Sequence, residues 1–261
     1  MLKAKKSFGQ NWLKDQHTLD VIVKSANIDQ SDTILEVGPG LGYLTDKLIA
    51  TGAQIVAVES DKDLIFPLKQ KFLRVKNISI ISSDILKFNL SELPRNYKVV
   101  ANIPYYLTSN LIRMLLETSN KPLSMVLLVQ KEVAQRIVAS PGQMSILAFS
   151  VQYYSTPQII ADVSRELFEP VPNVDSSIVK FTIRAEPLFD ANTKNLFRIV
   201  RGGFSNKRKM LKNSLSAALQ IDQTTVLDIL TNCSISQNAR AQELDFDQWH
   251  RLYLAIEPML K

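Results

Sequence analysis

The chain has 261 residues, 46% of them hydrophobic and 21% charged, enough apolar material for one large or two modest folded domains. A single cysteine, Cys233, excludes an internal disulfide and any multi-cysteine metal site, and the two histidines, His17 and His250, have no ligand spacing. No apolar run reaches membrane-spanning length, and the charged N-terminal stretch lacks the apolar centre of a signal peptide, so a soluble, cytoplasmic protein is expected.

In chain order, residues 1–14 carry Lys3, Lys5, Lys6 and Lys14 and no acid. Short runs rich in apolar and β-branched residues follow at 33–37, 54–58, 78–82, 97–101 and 124–129, separated by helix-period segments at 41–51, 61–73, 107–118 and 131–139. Alternation of this kind predicts a parallel sheet covered on both faces. Residues 146–154, about 158–163 and Ser176–Arg184 read as closing strands. After Arg184 the composition changes, and 192–202, 207–219, 223–231 and 246–257 read as helices. In the last of these, Phe246, Trp249, Leu252, Tyr253 and Ile256 form one stripe, the pattern of core packing. A boundary at Ala185-Glu186-Pro187 separates an α/β domain, 1–187, from a small helical one, 188–261.

Residues 191–221 hold Lys194, Arg198, Arg201, Lys207, Arg208, Lys209 and Lys212 without one acid. The two basic stretches together carry +11 while the whole chain is +6, so the remainder is net −5. Two basic patches on a mildly acidic body favour a polyanion partner, nucleic acid ahead of membrane, over merely solvated helix faces.

The chemistry gathers where strands end. Glu36-Val37-Gly38-Pro39-Gly40-Leu41-Gly42 follows the first strand and opens a helix. Its spacing is Gly-x-Gly-x-Gly rather than the dinucleotide Gly-x-Gly-x-x-Gly, and Pro39 removes an N–H that a pyrophosphate would need. A phosphate-free ligand such as S-adenosylmethionine fits better, although a nicotinamide site stays open. Glu59 closes the next strand, where a carboxylate accepts ribose hydroxyls, and Asp84 closes the one after, placed to accept an adenine amine. Either acid alone is as well explained as a helix N-cap.

Asn102-Ile103-Pro104-Tyr105 follows the fourth strand. An amine attached to an aromatic ring has its lone pair delocalised into that ring. Two acceptors that take its N–H bonds turn the pair outward, and the Asn102 oxygen with a backbone carbonyl held by Pro104 supplies two. Tyr105 offers a face for stacking. Asn102 does not titrate, which suits positioning better than proton transfer.

These residues resemble the ribosomal RNA adenine dimethyltransferases, in the branch that dimethylates two adjacent adenosines near the 3′ end of small-subunit (16S) rRNA. The likeness spans nearly the whole chain. It includes Lys6-Ser7-Phe8-Gly9-Gln10-Asn11-Trp12-Leu13, similar to the family's FGQNFL box, then Glu36–Thr45, Glu59, Asp84 and Asn102–Tyr105. It continues through Phe168–Ser176, Phe204–Leu211 and Ala239–Leu244. The resemblance implies a Rossmann-like class I methyltransferase sheet with helices on both faces, followed by a small all-helical C-terminal domain that binds RNA. It implies S-adenosylmethionine as methyl donor, bordered by Asn11 and Leu13, lined by Gly38 and Gly40, held by Glu59 at the ribose and Asp84 at the adenine, with Asn102 also among the donor-binding residues. It further implies that Asn102 and the Ile103 carbonyl hold the target amine, and that Tyr105 and Phe168 sandwich the flipped base. Lys207, Arg208, Lys209 and Lys212 become RNA-binding candidates within the 30S particle, and nothing demands more than a monomer.

Trp12 stands where the family usually has Phe, and Ile103 where it has Leu. Ala139–Ile146 replaces a longer, basic stretch containing Tyr-Gly. The rival readings are a sister enzyme acting on large-subunit RNA, a non-catalytic assembly factor of the same fold, and a DNA adenine methyltransferase. The Ala239–Leu244 signature argues against the first, and the intact Gly38, Glu59, Asp84 and Asn102 against the second.

Overall fold

The structure, a computed structural model, describes residues 5, 9–206 and 208–260. Its strands are β1 (Trp12–Leu13), β2 (Thr33–Val37), β3 (Gln54–Glu59), β4 (Ile78–Ser82), β5 (Lys98–Asn102), β6 (Ser124–Gln130), β7 (Ser155–Val163), β8 (Phe168–Glu169) and β9 (Ser176–Ile183). Its helices are α1 (Gln16–Ser25), α2 (Tyr43–Ile49), α3 (Lys62–Lys71), α4 (Thr108–Glu117), α5 (Lys131–Ile137), α6 (Ile146–Tyr154), α7 (Thr193–Gly203), α8 (Leu211–Leu219), α9 (Gln223–Asn232) and α10 (Phe246–Ile256). The chain divides into two compact units, residues 1–135 with 155–184 and residues 136–154 with 185–261. The sequence reading placed 136–154 in the first domain; here that stretch groups with the C-terminal helices.

The first unit is built on a seven-stranded sheet of order β4-β3-β2-β5-β6-β9-β7. The first five strands run parallel and β9 is antiparallel to both β6 and β7. Alternate residues of the central strands face opposite sides. Ile34, Val100, Val126 and Leu128 join Leu19, Ile22, Leu44 and Leu48 of α1 and α2 in one core. Leu35, Val99, Ala101, Met125 and Leu127, on the other face, are buried as completely. Burial on both faces is why these strands read as continuous apolar runs. The strand order reverses between β2 and β5, and a crevice opens there at the C-terminal ends, where open α/β sheets bind ligands.

Residues 146–154 form a helix rather than the expected strand. Ala148, Phe149, Val151, Tyr153 and Tyr154 are all buried, so α6 is apolar around most of its circumference. A helix buried this way shows no 3.6-residue alternation, and its β-branched and aromatic residues imitate a strand. The second unit closes on aromatics: Phe149 lies 5.0 Å from Phe246 and 5.8 Å from Trp249 between ring centroids. Trp249, Leu252, Tyr253 and Ile256 are buried, so the stripe on α10 is core packing. The expected helix over 207–219 begins only at Leu211, which leaves Arg208 and Lys209 in an exposed turn.

Candidate active site

Four neighbouring strand ends and the N-terminal segment converge on one cleft of about 280 Å³, near the lower end for small-ligand sites. Behind β2, the Gly38 N–H donates to Val58 O at 2.9 Å, which pins the loop to the neighbouring strand. Gly40 sits at φ +60°, and a Cβ there would meet Trp12 Cδ1 at 3.2 Å, so the indole closes tightly over the loop. The Gly40 N–H donates to Glu59 Oε2 at 3.1 Å, and the Asp61 N–H donates to Glu59 Oε1 at 2.8 Å. Burial pushes the Glu59 carboxyl upward, and these two backbone donors oppose it. Each oxygen keeps a further acceptor position for a ligand hydroxyl.

Asp84 caps a 3-10 turn at residues 85–87, its Oδ1 accepting from the Leu86 N–H at 3.0 Å, and also lines the cleft. N-cap and cleft position, alternatives in sequence, are both occupied by one side chain.

Asn102 ends β5. Its Nδ2 donates to Asn11 O at 3.2 Å, which leaves Oδ1 as the acceptor. The Ile103 N–H donates to Leu128 O at 3.4 Å, so the turn is anchored to β6 on one side and to the N-terminal segment on the other. Pro104 precedes a 3-10 turn, Tyr105–Leu107. The Tyr105 hydroxyl shares a 2.9 Å hydrogen bond with Ser176 Oγ, buried on β9, and burial raises its phenol. The ring is therefore held at both its backbone and its tip.

Asn11, Leu13, Gly38, Gly40, Glu59, Asp84, Asn102, Ile103, Pro104 and Tyr105 all line this cleft. Phe168 does not line it. It is 3% exposed, packs in the core of the first unit and pairs with Leu13 through β8. The aromatic sandwich expected of Tyr105 and Phe168 is thus not assembled here. Lys207, Lys6, Ser7 and Phe8 lie outside the described residues. Arg208 and Lys209 are exposed and Lys212 is half-buried in the first turn of α8.

Sequence reasoning missed four lining or supporting residues. Glu36, in the middle of the glycine motif, is 1% exposed with Oε2 lacking a partner. Burial pushes its carboxyl up to about 8, against the opposing pull of Thr45. Asp61 accepts from Gln10 Nε2 at 2.8 Å and from Lys5 Nζ at 2.6 Å while its own N–H holds Glu59. Although burial acts to raise the Asp61 carboxyl, Lys5 and Gln10 hold it below its ordinary value. Trp12 and Tyr106 complete the lining, with Tyr106 largely exposed. The Asp-x-Asp start of α3 was the one local signal for Asp61; its partners lie some fifty residues away in sequence.

Residues 1–257 match the family model described as ribosomal RNA adenine dimethylase. The chain belongs to this family. The dimethylase is 42% identical over 257 residues to a protein of Dehalococcoides mccartyi described as ribosomal RNA small subunit methyltransferase A, covering 97% of this chain and 88% of the relative. Among solved structures, a dimethyladenosine transferase from Plasmodium falciparum matches with a TM-score of 0.81 and 28% identity, over 94% of this chain and 97% of that one. The 23S rRNA methyltransferase ErmE matches with a TM-score of 0.76 and 27% identity, over 95% of this chain and 100% of that one. The dimethylase therefore has a class I methyltransferase fold and is an rRNA adenine dimethyltransferase with S-adenosylmethionine as donor.

The cleft suits that donor. Among the described residues, no Lys, Arg or His lines it, while Glu36, Glu59 and Asp84 do. A pyrophosphate would meet three carboxyl groups and no cation. A nucleoside diol and a positively charged sulfonium meet acceptors of the right sign. With Pro39 lacking an N–H in the glycine loop, this lining favours the sulfonium donor over a nicotinamide dinucleotide. Among the described residues no helix is long and apolar enough to cross a membrane, and no cluster of metal-ligating side chains occurs.

Proposed function

We propose that the dimethylase modifies N6 of two adjacent adenosines near the 3′ end of small-subunit (16S) rRNA, within the assembling 30S particle, acting in the cytoplasm as a monomer. The observation that carries the chemistry is the fixed amide of Asn102: with Nδ2 donating to Asn11 O, the oxygen is the group turned toward an incoming amine. The choice of subunit follows the 42% identity to the small-subunit relative.

When bound, S-adenosylmethionine supplies an electrophilic methyl group. Glu59 is assigned the ribose hydroxyls, Asp84 the adenine amine, Gly38 and Gly40 the loop contact, and Asn11 and Leu13 the methionine end. Asn102 Oδ1 and the Ile103 carbonyl accept the two N–H bonds of the target adenine, which concentrates the lone pair on nitrogen and directs it out of the ring plane. Tyr105 stacks on the extruded base, its ring immobilised by Ser176. Positioning and acceptor placement carry the rate, rather than proton transfer by a general base. The helical domain supplies phosphate contacts through Arg208, Lys209 and Lys212, with Lys207 in the same basic run.

Incubation with labelled donor and small subunits lacking the modification, followed by mapping, tests this reading. Label on two neighbouring adenosines near the 3′ end is the expected result. Label confined to large-subunit RNA would overturn it in favour of the sister activity.

A further inference from the structure

Helix α3 uses only one stripe for packing. Leu64, Leu68 and Phe72, spaced by four residues, form a buried cluster with Ile78 and Ile80 of β4. Its opposite face should therefore be polar. Instead it holds Phe66 at 70% exposure, and Leu73, in the turn that follows, is at 72%; among the described residues these are the two most exposed large hydrophobic side chains. They lie seven residues apart, two turns of a helix, about 10 Å along the axis. Lys62, Phe66 and Lys69 fall within about 60° of arc on that face.

The charge around them is one-sided. Lys62, Lys69, Arg74 and Lys76 are exposed and form no ion pair among the described residues. The helix's one acid, Asp63, is already engaged by Lys5 at 2.6 Å. Free cations interleaved with an exposed aromatic ring form a surface complementary to a polyanion whose units also have flat faces. A wholly apolar partner would leave four cations unmatched. The face also begins two residues after Ser60, which lines the active-site cleft.

We propose that the solvent face of α3 is an RNA-docking surface of this dimethylase, where an unpaired base stacks on Phe66 between phosphates held by Lys62 and Lys69. The inference rests on ribosomal RNA being the substrate, and it concerns a patch outside both basic stretches of the sequence.

Binding of wild type, Phe66→Ala and the Lys62→Glu/Lys69→Glu double variant is measured on small subunits lacking the modification and on the rRNA extracted from them, over a range of salt concentrations. Phe66→Ala is expected to weaken both about tenfold at unchanged salt slope, through lost stacking. The double variant should lower the slope of log K against log salt by one to two, roughly the share of two phosphates. Donor affinity, measured alongside, stays at the wild-type value in both, since neither site lines the cleft. Unchanged affinity and slope in both variants would overturn the proposal. So would a loss seen with intact subunits and not with extracted rRNA, which would mark a contact with ribosomal protein. Methyl transfer by the wild type to the same subunits separates the two readings. Normal transfer with unaltered variant binding sinks only the α3 surface. Absent transfer with the variant effects intact sinks only the small-subunit assignment.

Discussion

Replacing Glu36 by Gln should change how stability responds to pH rather than simply raise or lower it. The carboxyl is 1% exposed, its Oε2 has no partner, and burial raises it from an ordinary 4.5 to about 8. A carboxyl raised in the folded state is protonated in both states below about pH 4.5, where it costs nothing. As pH rises, the unfolded chain loses the proton first and is favoured. The stability present below the unfolded value is thus lost progressively up to the folded one, at a limiting slope of ~1.4 kcal/mol per pH unit. Between pH 5 and pH 7 the loss comes to roughly 2.5 kcal/mol. Glu36→Gln keeps the shape and removes the proton, so this component vanishes. Urea denaturation of both ligand-free proteins at several pH values tests it, because other titrating groups cancel in the difference. The gap in unfolding free energy should shift by ~2.5 kcal/mol toward the variant from pH 5 to pH 7. A gap that stays constant across that range would refute the argument.

Asn102→Ala removes the proposed amine acceptor and should lower methyl transfer by at least about a hundredfold, while leaving donor affinity within a few-fold; near wild-type turnover in a single-turnover assay would remove Asn102 from its role. Asp61→Asn places an amide where Gln10 and Lys5 both donate, loosening Glu59 and the N-terminal wall together. It should raise the donor Kd about tenfold, or ~1.4 kcal/mol, at unchanged RNA affinity, and an unaltered Kd by calorimetry would contradict the linkage. Gly203→Ala introduces a Cβ 2.6 Å from Trp249 Cη2 and 3.0 Å from Leu211 Cδ1. Overpacking of ~1–3 kcal/mol outweighs a helix-propensity gain of at most ~1 kcal/mol, so a drop in the melting temperature of the helical unit is expected and a rise would contradict it.

Much of the cleft was readable in sequence because its parts obey local rules. A buried parallel strand is apolar along most of its length, so the polar residue that ends it marks the rim, as Glu59 and Asn102 do, while Asp84 follows the half-polar edge strand β4. The glycine spacing and Pro39 argued for a phosphate-free ligand, and the described lining, with its acids and no cation, agrees. What stayed hidden depends on distant partners. The fate of Phe168 is decided by Leu13, 155 positions earlier. The tie of Asp61 to Gln10 spans 51 residues. The strand-like 146–154 turned helical because its neighbours bury nearly every side of it. The exposed apolar face of α3 was invisible because sequence periodicity reports which residues lie together, not which side is covered.

The two-stranded pairing of β1 with β8 has a consequence for when the cleft exists. The wall made by Trp12 and Leu13 hangs on Phe168 and Glu169, and Lys14 adds an ion pair to Glu169. A nascent chain that has emerged only as far as β7 holds the glycine loop, Glu59, Asp84 and Asn102, yet nothing for its first strand to pair with. During synthesis the floor and rim of the cleft are therefore specified well before the segment that holds its wall. Affinity for the donor, followed on chains stalled before and after residue 169, would rise in one step rather than gradually.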